Sequence, residues 1–154
     1  MLKKTFLLIL LLFLHSCGYE AIHSKKNTSN YDFSINEISF VGDRDINLKI
    51  KEKLNNYVLN KKNKNFTLSI SSLVKKDVLA KDISGNPTGF KSTIIINIKV
   101  LMQNTFKNNL QIIERFNYNN IANKFDLIKY EKEIKNNLAE TATKKLIFKL
   151  SNIQ

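Results

Sequence analysis

Apolar positions along the chain follow two periods, and the switches between them predict the elements. Phe33 to Val41 alternates apolar and polar residues with a phase slip between Ile35 and Ile38, so a strand with a bulge near Asn36-Glu37 is expected. Gly42-Asp43-Arg44-Asp45 reads as a turn, with Asp45 the expected N-cap of the next segment. There Ile46, Ile50, Leu54 and Tyr57/Val58 recur at helical spacing, giving an amphipathic helix of about four turns. Lys61-Lys62-Asn63-Lys64-Asn65 ends it. Phe66, Leu68, Ile70, Val74, Val78 and Ala80 then share one parity, the mark of a long strand with one buried face. Lys76 interrupts that face, so the outer half of the strand is expected to leave the core.

Ser84-Gly85-Asn86-Pro87-Thr88-Gly89 holds two of the four glycines and the only proline, which makes it the clearest turn in the chain. Ile94, Ile96, Ile98, Val100 and Met102 form the next strand, Phe106 to Asn109 a turn, and Leu110 to Ile121 a fourth strand. Asp126 is the expected cap of a last segment in which Tyr130, Ile134, Leu138, Ala142, Leu146 and Leu150 recur without Gly or Pro. That segment is a helix of roughly 25 residues, about 38 Å long. The order βαβββα, without repeats, predicts an α+β fold. It is a two-layer sandwich with two helices packed on one face of a four-stranded, mostly antiparallel sheet. The domain is expected over residues 33–154, preceded by a polar tether over residues 17–32 that has no sustained period.

The amino terminus breaks both patterns. Lys3 and Lys4 precede Phe6 to Leu14, an unbroken apolar run whose length suits a signal-peptide core. It falls short of the ~20 residues that span a bilayer, which weighs against the alternative of an uncleaved anchor. The run ends in Leu14-His15-Ser16-Cys17-Gly18, which resembles a bacterial lipobox although His15 departs from the usual small or hydroxyl residue. Residues 1–16 are therefore expected to be a lipoprotein signal peptide, with lipid on Cys17. Cys17 is also the only cysteine, and lipidation explains an unpaired thiol in an exported protein, as a buried structural cysteine also would. Lipoproteins of this type carry diacylglycerol on the thiol and a third acyl chain on the new amino terminus. One chain binds membranes marginally, several anchor stably. Gly18 in place of Asp implies sorting to the outer membrane.

The formal net charge is +12, about +10 once Lys3 and Lys4 are removed. Such a surface attracts polyanions: nucleic acid, anionic head groups, or the phosphates of lipopolysaccharide. Yet arginine stands only at positions 44 and 115, and the Lys, Asn and Ile excess is also what an AT-rich genome writes into any protein. Strand parity sharpens the question. If Leu68, Ile70 and Val74 and Ile94, Ile96 and Ile98 face the helices, the opposite face carries Lys75, Lys81, Lys91, Lys99 and Arg115 among Thr67, Ser69, Ser71, Thr93 and Asn97. That face is either a solvated sheet surface or a site for anionic sugar-phosphate.

Catalytic chemistry is hard to assemble from these residues. The only histidine after Cys17 is His23, in the tether, so neither a zinc site nor a Ser-His or Cys-His pair is expected. Asp43 with Asp45 and Glu131 with Glu133 have an ordinary explanation in helix starts. No enzyme activity, cofactor or metal is expected.

With these features together, the chain resembles the LPS-assembly lipoprotein family, LptE. The residues that carry the likeness are Leu14-His15-Ser16-Cys17-Gly18-Tyr19 and the strand and turn ahead of Arg44. The hairpin around Gly85-Asn86-Pro87-Thr88-Gly89 and the helix at Leu138-Ala139-Glu140-Thr141-Ala142 complete it. Glu20-Ala21-Ile22-His23 stands where family members have Pro and a second aromatic. The resemblance implies an outer-membrane lipoprotein on the periplasmic side that plugs the LPS-translocon barrel (LptD-like), assists its assembly and contacts lipopolysaccharide. On this reading the membrane is a partner through the lipid anchor, and nucleic acid is not. The alternative is an adaptor or binding lipoprotein of another envelope assembly machine, without lipopolysaccharide contact. Lys75, Lys81, Lys91, Lys99 and Arg115 are the candidate lipopolysaccharide residues, and Gly85, Asn86, Pro87 and Thr88 the candidate barrel-contacting loop.

Overall fold

Alternation and helical spacing are realised in the order β1 (Phe33–Gly42), α1 (Arg44–Val58), β2 (Lys64–Lys81), β3 (Pro87–Met102), β4 (Thr105–Asn119) and α2 (Lys124–Ser151). The computed structural model describes residues 31–58, 62–103 and 105–153. The expected signal peptide, Cys17 and the expected tether up to residue 30 lie outside the described residues. Contacts divide the chain into Met1–Tyr31 and Asp32–Gln154, and the fold is that of the second unit.

The four strands form one sheet in sequence order. β1 runs parallel to β2, with α1 as the crossover, and the β2–β3 and β3–β4 pairs are antiparallel. The expected bulge is present, with the register shifting between Ile35 and Glu37. One sheet face supplies the core. Phe66, Leu68 and Ile70 of β2 and Ile94, Ile96, Ile98 and Val100 of β3 are buried under Ile46, Ile50 and Leu54 of α1 and Leu138, Ala142, Leu146 and Leu150 of α2. Phe33 closes the end of this core, stacked on Tyr57 at 4.7 Å between ring centroids.

Several local expectations change. Asp43, not Asp45, caps α1: its Oδ1 accepts from the Ile46 N–H at 3.0 Å and its carbonyl from the Asn47 N–H at 3.0 Å. Asn123, not Asp126, caps α2, its side chain accepting from the Phe125 and Asp126 N–H groups. The expected turn at Phe106–Asn109 is strand; the chain reverses around Gln103, at φ +50°, and β4 begins at Thr105. Pro87, Thr88 and Gly89 likewise belong to β3. Ala80 leaves the parity of Val78, because a register shift between the two places it opposite Gly89.

The strand end beyond Val74 does leave the core, as Lys76 suggested, and Lys76 itself is held. Its Nζ lies 4.1 Å over the Phe90 ring and pairs with Glu131 of α2. Tyr118 donates to the same Glu131 carboxylate at 2.9 Å. Burial, then that bond and the carboxylate's charge, push the phenol above its ordinary range.

Lys135 of α2 reaches both Asp43 and Asp45, clamping the start of α1. Burial opposes its charge, but the Asp45 bond and the two carboxylates hold its ammonium above its ordinary value. The Lys135 bond holds the Asp45 carboxyl below its own.

Candidate functional site

Both helices pack on one side, so among the described residues the other face of the sheet is open, and the pairing registers set out its side chains in rows. Ser69, Lys99 and Asn109 form one row, and Ser71, Asn97 and Gln111 the next. Gln111 donates to Asn97 Oδ1 at 2.8 Å. Leu73, Ile95 and Ile113 follow, then Lys75, Thr93 and Arg115, then Asp77, Lys91 and Asn117. The face is therefore polar and basic, crossed in its middle by one apolar row. A shallow, open depression of about 540 Å³ lies beside that row, bounded by Ser69, Ser71, Asn97, Lys99, Asn109 and Gln111.

The expected basic residues share this face but do not make one patch. Lys75, Lys91 and Arg115 gather around Thr93, while Lys99 lies six residues along β3, roughly 20 Å away on the far side of the apolar row. Lys81 sits opposite Pro87 near the hairpin tip, a similar distance in the other direction. Lys91 pairs with Asp77 at 3.3 Å. Lys75, Lys81, Lys99 and Arg115 have no carboxylate within ion-pair distance among the described residues. These four are the cations available to an anionic ligand.

The hairpin tip is built on Asp82. Its carboxylate accepts from the Ser84 N–H at 2.9 Å, the Asn86 N–H at 2.8 Å and the Asn86 side chain at 3.1 Å, and these bonds lower its pKa. Gly85 supplies the turn at φ +83°. Of the proposed loop residues, Gly85 and Asn86 lie in the tip, while Pro87 and Thr88 start β3 and bond Asn120 through their carbonyls. At the apex Ile83 is fully exposed, at 107%.

The fold is shared with bacterial lipoproteins of known structure. Rare lipoprotein B from Shewanella oneidensis matches with a TM-score of 0.56 at 13% identity, over 76% of this chain and 98% of that one. A minor lipoprotein from Acinetobacter baumannii matches with a TM-score of 0.60 at 10% identity, over 79% and 91%. An uncharacterized lipoprotein B from Nitrosomonas europaea gives 0.53 at 10%, over 79% and 86%. At these identities the likeness is one of fold. No protein-family model and no curated protein sequence matches the chain.

The row Leu73–Ile95–Ile113 was missed by reading one strand face at a time. A signal was present: Ile94-Ile95-Ile96 and Ile112-Ile113 are continuous apolar runs, which put an apolar residue on both faces of a strand. Among the described residues no three His, Cys, Asp or Glu side chains cluster to hold a metal, and no helix is long and apolar enough to cross a membrane.

Proposed function

We propose that this protein is an outer-membrane lipoprotein, anchored through Cys17 on the periplasmic side. It partners and plugs the barrel that translocates lipopolysaccharide, assists that barrel's assembly and helps deliver lipopolysaccharide to the cell surface. Its role is binding and assembly, without catalysis. The observation that carries this reading is the open sheet face, on a fold shared with solved bacterial lipoproteins. Lipopolysaccharide joins phosphorylated sugar to acyl chains. The face offers a matching pair of surfaces, unpaired Lys75 and Arg115 beside the apolar Leu73, Ile95 and Ile113. Asn86 in the tip and Thr88 at the start of β3 are exposed at the end of the β2–β3 hairpin, which β4 accompanies up to Asn119, and this end is the part of the fold offered to a lumen.

The test is purification of the tagged native protein from detergent-solubilised envelopes, with photo-crosslinkers at Asn86 and Thr88. Co-purification of an outer-membrane barrel, with crosslinks from at least one of the two positions, is expected. Recovery of a different envelope machine without any barrel overturns the reading in favour of an adaptor role.

A further inference from the structure

The two edges of the sheet are protected to different degrees. β1 is ten residues long, kinked by its bulge at Asn36, and ends in Gly42 at φ +101°. Such features blunt an edge against further pairing. β4 is fifteen residues long, with neither Pro nor Gly, and its register on β3 runs unbroken from Asn119 to Asn108, its one shift lying near the start of the strand at Lys107. Its middle, Asn108 to Ile113, carries six residues without a charge. Among the described residues no strand pairs with its outer edge, and no side chain bonds its backbone. A row of open backbone donors and acceptors of this length is a template for another strand.

We propose that the free protein forms a two-fold dimer by antiparallel pairing of β4 with β4 of a second copy, with Ile113 opposite Ile113. This inference is independent of the barrel reading.

The strand's own sequence selects that register. With Ile113 on the two-fold, the open face places Gln111 opposite Arg115 and Asn109 opposite Asn117. The helix-side face places Leu110 opposite Phe116 and Asn108 opposite Tyr118. No like charges oppose each other, and the two Arg115 side chains stay roughly 13 Å apart, beyond the Debye length at physiological salt. Centring on Glu114 or Arg115 would oppose identical charges, and centring on Gln111 would set Ile113 against Asn109. Centring on Ile112 would set Ile113 against Gln111 and Phe116 against Asn108, so the apolar pairs are lost.

The chosen register also joins each copy's row Leu73–Ile95–Ile113 to its mate across the two-fold, making one apolar band through an eight-stranded sheet. On the helix side, a groove of about 170 Å³ runs between β4 and α2, lined by Phe116, Tyr130, Ile134 and Leu138 with Glu133 and Asn137. Phe116 is 44% exposed there. Leu110 of the second copy arrives beside Phe116 on this side and fills the groove, and by symmetry each copy fills the other's. Glu114, which faces Ile112 across the junction, is already neutralised by Lys145 at 2.6 Å.

One strand pair and two small grooves make an interface at the low end of specific contacts, so dissociation in the range of about 10–100 μM is expected. The experiment uses the full chain carrying Cys17→Ser in detergent excess, so that neither the lipid nor the native thiol interferes. Sedimentation equilibrium should show a monomer–dimer equilibrium, and Ile113→Lys should weaken it at least tenfold with circular dichroism unchanged. In the same background Ile113→Cys should cross-link to a dimer under mild oxidation, because directly opposed Cβ atoms lie roughly 5 Å apart. Ile95→Cys, on the same apolar row but one strand in from the edge, should not. A chain that stays monomeric to about 200 μM overturns the proposal. So does a dimer that Ile113→Lys leaves intact, or one that cross-links equally well through Ile95→Cys.

Discussion

Gly42 and Gly85 both hold a positive φ, and their surroundings separate two reasons for glycine. A Cβ on Gly42 would lie 1.9 Å from the Ser72 carbonyl oxygen, so β1 can reach its turn only where no side chain intervenes. A Cβ on Gly85 meets nothing within 4 Å, so only the left-handed backbone penalty applies there. Gly42→Ala should therefore cost about 2–4 kcal/mol of unfolding free energy, and Gly85→Ala about 1 kcal/mol, as measured by urea denaturation.

Ionisation at this scale has a defined sign. Asp45 is held below its ordinary 3.8 by the Lys135 bond, and Glu140 below its ordinary 4.5 by its bond to Lys144 and, against burial, by Lys53. A carboxylate with a depressed folded pKa adds stability above its unfolded pKa, and that stability is lost as pH falls through the folded one. The melting temperature should fall between about pH 5 and pH 3. Asp45→Asn and Glu140→Gln together should flatten the slope in that window.

Among the elements, the β2–β3–β4 face is where charge and apolar contact can be separated. Exposed cationic contacts contribute roughly 0.2–1 kcal/mol each and are screened by salt. Lys75→Glu with Arg115→Glu should weaken lipopolysaccharide binding several-fold more than Lys99→Glu alone, because the first two cations flank Thr93 and Lys99 stands apart. Circular dichroism should not change, since these side chains lie outside the core. Ile95→Asn should weaken binding of the acylated ligand while sparing deacylated sugar-phosphate, as measured by fluorescence titration with each. Binding that is insensitive to salt and to both basic substitutions would show that the charges arise from composition alone.

For the whole molecule, anchoring and folding should be separable. The buried apolar residues of the described chain begin at Phe33, sixteen positions after Cys17. Cys17→Ala should release the protein from membranes on fractionation and leave its urea unfolding curve unchanged. A mature amino-terminal peptide carrying acyl chains in mass spectrometry is the matching result for the unaltered protein. A mature chain that begins elsewhere with a free thiol would overturn the lipid assignment.

Periodicity alone determined the element order, the bulge near Asn36, the two helices and the face each strand buries, because burial on one side of a strand or helix imposes its period on the sequence. It also placed Lys75, Lys91, Lys99 and Arg115 on the face away from the helices, by parity. Tertiary structure decided what depends on partners distant in sequence. Asp43 rather than Asp45 caps α1 because the turn at Gly42, seated against Ser72 of β2, sets where the helix begins. Lys76 is held on the core side because Phe90 and Glu131 come to it from β3 and α2. The parallel β1–β2 pair, the sequential strand order and the row Leu73–Ile95–Ile113 depend on cross-strand register. Register is a relation between strands, and no single strand's pattern contains it.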